Sequence, residues 1–396
     1  MRTNIHHTQH TASGWLRRLA SVGILLAATA ACTRQQPTTQ QETLDLGKWN
    51  TEVHDALDSL ISQNADKGQY AVFDFDKTTI THDISNALMI YQIEHLRFAS
   101  APDSAFLCGI PDVKAPLEGI GISSAEMGTV LQREYESMQA RLAAGESLEQ
   151  VWQSDEYLDF RARFVSFLEA LDRTFPVRVW YAWMPGLLSG FTEQEAKAVV
   201  SEALDDQLGE EKLRVEEWIS PDGRWGGTVE KGVFLPQETK DLYCTLSDNG
   251  IDAYVCSASL ELIVETLACD SIRGLGLDAE RVYGLRFVPA EYVTATFDPN
   301  YPQPMQAGKV DCIKECIAPL YDGRDPMLVG GDANGDVPML TAFDDMQRGL
   351  IIDVGRSPET PIGKLATKAR QEQNKGRYLL QPTFAKAKSS TTGGGI

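Results

Sequence analysis

The sequence predicts an α/β protein, a doubly wound parallel sheet interrupted by a large, mainly helical insertion. Three observations carry the prediction. Tyr70-Ala71-Val72-Phe73 is a continuous apolar run that stops at acidic residues, as a strand buried on both faces does. After Pro236, apolar runs of strand length alternate with helical patterns, the rhythm of βαβ units. Between the two lies an unusually aromatic segment, 84–218, patterned mostly as helix. The 396 residues allow two domains or one domain with a large insertion, and 43% hydrophobic residues suffice for a sizeable core.

The first 32 residues read as a secretory signal peptide. Arg17 and Arg18 precede an apolar run, 19–28, which ends in the small residues Thr29, Ala30 and Ala31 before Cys32. The run is too short for a permanent membrane span. Ala30-Ala31-Cys32 resembles a bacterial lipobox, in which the cysteine is lipidated and becomes the new N-terminus. Thr29 stands where such a box usually has Leu, so ordinary secretory cleavage remains open. The expected location is therefore outside the cytoplasm, either lipid-anchored to a membrane or soluble. Residues 33–45 form a polar tether rich in Gln and Thr.

Trp49, Val53, Ala56, Leu57, Leu60 and Ile61 recur at helical spacing and predict a lead-in helix over 44–64. The core is expected from 46–84 and 236–384, with the insertion at 85–235. Pro221-Asp222-Gly223 and Gly226-Gly227 mark its turn-rich far boundary. Beyond it the pattern predicts helices over 239–249, 260–267 and 309–318, the last stopped by Pro319. Strands are expected over 251–255, 282–287, 326–329 and 350–354. Residues 385–396, rich in Ser, Thr, Gly and Lys, predict a disordered tail.

A formal net charge of −20 argues against sequence-independent nucleic-acid binding, which relies on Lys and Arg facing phosphates. It also predicts weak attraction to anionic membranes, so a lipid on Cys32 is the membrane contact expected. A phosphorylated ligand remains compatible where a local cation site overrides the field. Besides Cys32 there are Cys108, Cys244, Cys256, Cys269, Cys312 and Cys316. An exported compartment permits disulfides, whose connectivity spacing does not reveal. Cys312 and Cys316 lie one helical turn apart, but no second Cys or His pair completes a zinc set, so buried or unpaired thiols are the better reading.

Ligands of open α/β sheets gather beyond the carboxyl ends of the strands, and four groups fall there. Asp74-Phe75-Asp76-Lys77-Thr78 follows the first strand, and two carboxylates placed together there favour a bound cation or a shared proton. Ser257 follows the second strand, where a serine is most often a turn or cap residue; Ser259 could be that cap. Lys309 begins a helical pattern, an end where the helix dipole disfavours a cation. Gly331-Asp332-Ala333-Asn334-Gly335-Asp336 follows another strand and lacks the ligand spacing and closing Glu of a calcium loop.

Taken singly these are ordinary features; in this order they resemble the four signature motifs of the haloacid dehalogenase superfamily. The resemblance covers the Rossmann-like core, about 70–84 and 237–354, and Asp76 points to the phosphatase branch. Asp74-Phe75-Asp76-Lys77-Thr78-Thr79 resembles phosphoserine phosphatases. His82-Asp83-Ile84-Ser85-Asn86-Ala87-Leu88 is similar to exported phosphorylcholine phosphatases.

The resemblance implies a small phosphorylated substrate, Mg²⁺ as cofactor and an aspartyl-phosphate on Asp74. Asp76 would be the acid/base partner, with its backbone carbonyl on the metal. Ser257 and Lys309 would hold phosphoryl oxygens, and Asp332 would complete the metal site. Asp336 would assist the metal or fix Lys309, and Thr78 would orient the first loop by hydrogen bonding. Water or an alcohol could accept the phosphoryl group; a binding protein on a disabled fold is the non-enzymatic alternative. The insertion corresponds to a cap that selects the leaving group. Its Trp180-Tyr181-Ala182-Trp183 run and Trp152 could cage a quaternary ammonium, or simply pack the cap's core.

Overall fold

Tyr70–Phe73 forms strand β1, buried along its whole length. Ala71 and Phe73 pack on one side of it, Tyr70 and Val72 on the other, as the two-residue period of a strand requires. The computed structural model describes residues 42–99 and 105–384. The expected signal peptide, Cys32, the start of the expected tether and residues 385–396 lie outside the described residues.

Helix α1 (Thr51–Asn64) begins where the Asn50 side chain accepts from the amides of Glu52 and Val53, and it buries Val53, Leu57, Leu60 and Ile61. Such a cap contributes roughly 0.5–2 kcal/mol. After β1, α2 (Ile84–Glu94) is capped by Asp83. Ile84, Ala87 and Leu88 of α2 join the core cluster, whereas Met89, Ile90 and Ile93 join the cluster of the insertion. This helix therefore belongs to both halves.

The insertion continues with α3 (Ser124–Ala143), α4 (Leu148–Trp152), α5 (Asp155–Thr174), α6 (Val177–Gly186) and α7 (Glu193–Gln207). Capping boxes at Ser123/Glu126, Ser147/Gln150 and Thr192/Glu195 start three of these helices. An antiparallel hairpin follows, β2 (Arg214–Ile219) with β3 (Gly226–Lys231). The helical expectation to residue 218 is corrected here, and Pro221-Asp222-Gly223 is the hairpin turn. The hairpin lies close against α5: a Cβ on Gly227 would meet Val165 at 2.5 Å, and Ser166 Oγ accepts from the Gly226 amide at 2.8 Å.

The remaining core is α8 (Gln237–Asp248), β4 (Asp252–Leu260), α9 (Glu261–Ala268), β5 (Val282–Leu285), α10 (Gly308–Cys312), β6 (Leu328–Gly331), α11 (Val337–Thr341), β7 (Arg348–Asp353), α12 (Pro361–Gln371) and β8 (Tyr378–Pro382). The sheet order is β5-β4-β1-β6-β7-β8, with every pair parallel. The chain builds outward from β1 first on one side and then on the other, so the switch point lies at the carboxyl ends of β4, β1 and β6.

Two expected elements differ. The helix expected over 309–318 passes from α10 into a π turn (Ile313–Ile317) and a 3-10 turn (Ala318–Tyr321). Pro319 sits in the first turn of the latter, where its missing N–H leaves no partner wanting. Strand β4 runs on to Leu260, with a register irregularity after Cys256, and so carries both serines. Cys108, Cys256, Cys269, Cys312 and Cys316 are free thiols. No described helix is long and apolar enough to cross a membrane.

Candidate active site

The ends of β1, β4 and β6 and the start of α10 converge on one cavity of about 560 Å³. Asp74 continues β1, its amide donating to the Gly330 carbonyl of β6 at 2.9 Å. The chain then turns tightly, because the amides of Thr78, Thr79 and Ile80 all converge on the Phe75 carbonyl. That turn places Thr79 above the Asp74 carbonyl, to which its hydroxyl donates at 2.6 Å; Tyr243 Oη lies 3.0 Å from the same hydroxyl. The loop-orienting bond expected of Thr78 thus belongs to Thr79, and the buried Thr78 hydroxyl has no partner among the described residues.

Asp76 accepts from the Ile84 amide and from Ser259 Oγ, both at 2.7 Å, and Ser85 donates to Ser259 at 2.9 Å. Ser259 is therefore not a helix cap. The cap position of α9 is Leu260, which has no side-chain bond to give. Ser257 is fully buried, its hydroxyl accepting from the Ser259 amide at 3.1 Å, while Ala258 and Ser259 form the cavity wall.

Lys309 is buried and donates to Asp74 and to Asp336 at 2.6 Å each. The other Asp336 oxygen accepts from the amides of Asp332 and Ala333 at 3.1 and 2.9 Å. Of the two readings of Asp336, these bonds match the partner of Lys309. Asp332 is held at 2.7 Å by Arg356, a residue between β7 and α12 that the sequence did not single out.

Carboxylate oxygens of Asp74, Asp332 and Asp336 all lie within 4.8 Å of one another. Burial, reinforced by Asp336 and opposed by Lys309, pushes Asp74 up to about 8. Burial and then Asp336 push Asp332 up to about 6. Asp76 is raised well above the usual carboxylate range by burial, then by Asp83 and Asp74. Burial works to lower Lys309, yet Asp336 and Asp74 hold it well above its ordinary value. Acidic oxygens exceed the cations that face them, a donor set that fits a hard divalent cation.

The roof of the cavity comes from the insertion and the start of α2. Trp180 and Tyr181 line it with rings stacked at 4.1 Å, together with Asp83 and Asp172. Trp183 and Trp152 do not share this position. Trp183 is fully buried and donates to the Phe106 carbonyl, and Trp152 donates to the Glu94 carbonyl. The packing reading holds for those two, whereas Trp180 and Tyr181 reach the cavity.

The first loop is also tied to the exit of β3. Lys77 pairs with Glu230 at 2.8 Å, and the Thr81 amide donates to the Phe234 carbonyl at 2.7 Å. His82 Nδ1 lies 3.2 and 3.1 Å from the carbonyls of Lys231 and Gly232, which requires the proton on that nitrogen.

No family model matches the chain. Over 265 residues, 66% of its length, the chain is 27% identical to the phosphorylcholine phosphatase of Pseudomonas aeruginosa, and it spans only 60% of that protein. A solved structure of a conserved, functionally unknown protein from Anaerococcus prevotii is 27% identical, with a TM-score of 0.74 over 88% of this chain and 98% of that one. The parallel α/β core is borne out, and a relative named as a phosphatase accords with the phosphatase resemblance carried by the four motifs.

Proposed function

We propose that the chain is a phosphoric monoester hydrolase of haloacid dehalogenase type, working through an aspartyl-phosphate with Mg²⁺ as cofactor. The observation that carries the reading is the clamp in which Lys309 bonds Asp74 and Asp336 at 2.6 Å each beneath the cavity. In this reading an Asp74 oxygen attacks phosphorus as the bond to the leaving oxygen breaks, and the phosphoryl group passes to Asp74. Lys309 favours the ionised form of Asp74 and neutralises charge that grows on the phosphoryl oxygens.

Asp76 keeps its proton through burial and the acidic groups around it. It gives that proton to the leaving oxygen, then takes one from the water that releases phosphate from Asp74. The Ser259 hydroxyl and the Ile84 amide fix its orientation for both transfers. Asp74, Asp332 and the Asp76 carbonyl would hold Mg²⁺, which supplies positive charge against the phosphoryl oxygens.

The roof supports a cationic leaving group. Stacked aromatic rings beside Asp83 and Asp172 attract a quaternary ammonium through both ring faces and charge. Phosphorylcholine is the candidate this chemistry selects, and the Pseudomonas aeruginosa relative is named for it. Export of the enzyme, with or without lipid on Cys32, is part of the proposal and rests on residues 1–32.

The test is a panel of phosphorylcholine, phosphoethanolamine, phosphoserine and p-nitrophenyl phosphate, assayed with Mg²⁺ and after chelation. Hydrolysis that requires metal and is fastest, by kcat/KM, for phosphorylcholine is expected. Undiminished turnover after chelation would remove the metal, and a preference for phosphoserine would reverse the assignment of the leaving group. Failure of radiolabelled palmitate to mark the chain in a bacterial host would remove the lipid from Cys32.

A further inference from the structure

The residues expected to grip the phosphoryl group are mostly engaged elsewhere. Lys309 directs two of its three N–H donors at Asp74 and Asp336. Ser257 lies behind the cavity wall with its hydroxyl on the Ser259 amide. Arg356 stands differently. Its guanidinium lines the same cavity, fixed at Nη2 to the buried Asp332 carboxylate at 2.7 Å, with the rest of its donor fork making no hydrogen bond among the described residues. The side chain is 43% exposed, whereas Asp332 is 3% exposed. One end of the guanidinium is thus anchored in the floor while the remainder is open to whatever fills the cavity.

We infer that Arg356 binds the phosphoryl oxygens of the substrate, with Asp332 serving to aim it. This deepens the phosphatase reading and rests on it. A guanidinium presents parallel N–H groups that match a phosphoryl group's oxygens two at a time, which a lysine ammonium does not. Anchoring by Asp332 removes most of the side-chain freedom that a half-exposed arginine otherwise loses on binding. The same anchor places a cation beside Asp332 from outside the triad, so Arg356 shares in balancing the excess negative charge of the floor.

The experiment is calorimetry of the full chain with inorganic phosphate in the presence of Mn²⁺, together with a Mn²⁺ titration alone, for wild type, Arg356→Met and Arg356→Lys. Phosphate affinity is expected to fall at least about tenfold in Arg356→Met, the scale of a lost charge-assisted bond. Arg356→Lys should recover only part of it. Added guanidinium ion should restore phosphate binding to Arg356→Met and leave wild type unchanged, which a purely structural role would not produce. In kinetics the loss should appear in KM and kcat together.

Unchanged phosphate affinity in Arg356→Met overturns the inference. So does a loss confined to Mn²⁺ affinity, since Arg356 would then only orient Asp332. If wild type binds phosphate and hydrolyses esters but Arg356→Met does so equally well, the inference alone falls. If wild type does neither, the phosphatase reading falls and takes the inference with it.

Discussion

The strand-end floor and the helical insertion are built from opposite materials. The floor is a set of charges, with Asp74, Lys309, Asp336 and Asp332 buried and Arg356 half-exposed at its edge, linked by hydrogen bonds of 2.6–2.7 Å. The insertion is organised around packed rings: Phe98, Phe106, Tyr135, Phe160 and Phe164 lie in contact, with Phe164 and Phe167 against Trp183. Each floor residue lies at or just beyond a core element that the sheet holds in place, whereas the cavity roof is formed by Trp180 and Tyr181 of α6 with Asp172 of α5 and Asp83 at the start of α2. In the proposed reading the reacting groups therefore sit on the most constrained part of the molecule, and the groups that would meet the leaving group sit mainly on a separately packed unit. Changes in the floor should stop turnover of every ester alike. Changes in the roof should redistribute preference among esters.

The largest effect tests the floor. Asp74→Asn removes the proposed nucleophile and also half of the acidic pair that Lys309 neutralises. Turnover should fall at least about 10³-fold for every ester in the panel, the scale seen when a nucleophile or a key charged donor is removed. Circular dichroism should remain that of the wild type, because the isosteric amide keeps an acceptor for Lys309. A loss that differs widely between esters would break the comparison, since it would show the floor choosing among leaving groups.

The roof is tested by Trp180→Ala. Trp180 lines the cavity, and its buried ring nitrogen has no partner among the described residues, so removing it strands no polar group there. A cation held over an aromatic face is worth about 0.5–2 kcal/mol. The kcat/KM for phosphorylcholine should accordingly drop severalfold to about thirtyfold relative to p-nitrophenyl phosphate. Trp183→Ala is the contrast. It opens a cavity in the insertion core and should lower the melting temperature through about 3–5 kcal/mol of lost packing, with selectivity following only as far as the roof loosens. Equal selectivity losses from the two variants, with no difference in melting temperature, would erase the distinction between roof and packing.

How much of this was legible differs between the same two regions. In the floor, an apolar run followed by Asp-x-Asp and a strand followed by Gly-Asp are local patterns, and chain order alone brought Asp74, Asp76, Lys309 and Asp332 to one cavity. What escaped notice was long-range or fine-grained. Arg356 meets Asp332 across 24 positions with no periodic pattern between them. Thr79 rather than Thr78 reaches Asp74 because of a turn that only the converging amides reveal. In the insertion, Arg214–Ile219 has a single buried residue, Trp218, so no alternation announced a strand. Trp180 and Trp183 are three apart on one helix and hence neighbours on its surface. Spacing could not say which would line the cavity and which would be buried.

The smallest effect probes an exception inside the insertion, a buried charge with incomplete pairing. Glu134 on α3 accepts from Arg163 at 3.1 Å through one oxygen, while its other oxygen is buried without a partner among the described residues. Burial, only partly offset by Arg163, pushes its carboxyl up from 4.5 to about 7. A raised acid pKa means that the folded chain holds a proton the unfolded chain has already released across this window. Wild-type stability from this group is therefore greatest below pH 4.5 and declines as pH rises towards 7. Glu134→Gln keeps an acceptor for Arg163 and cannot ionise. Its melting temperature relative to wild type should rise as pH goes from 4.5 to 8, by a few degrees at most. Because Glu134 does not line the cavity, kcat/KM should be unchanged for every ester. A stability difference that is flat or falling with pH would show that Arg163 already neutralises Glu134, making this pair a small counterpart of the floor rather than its opposite.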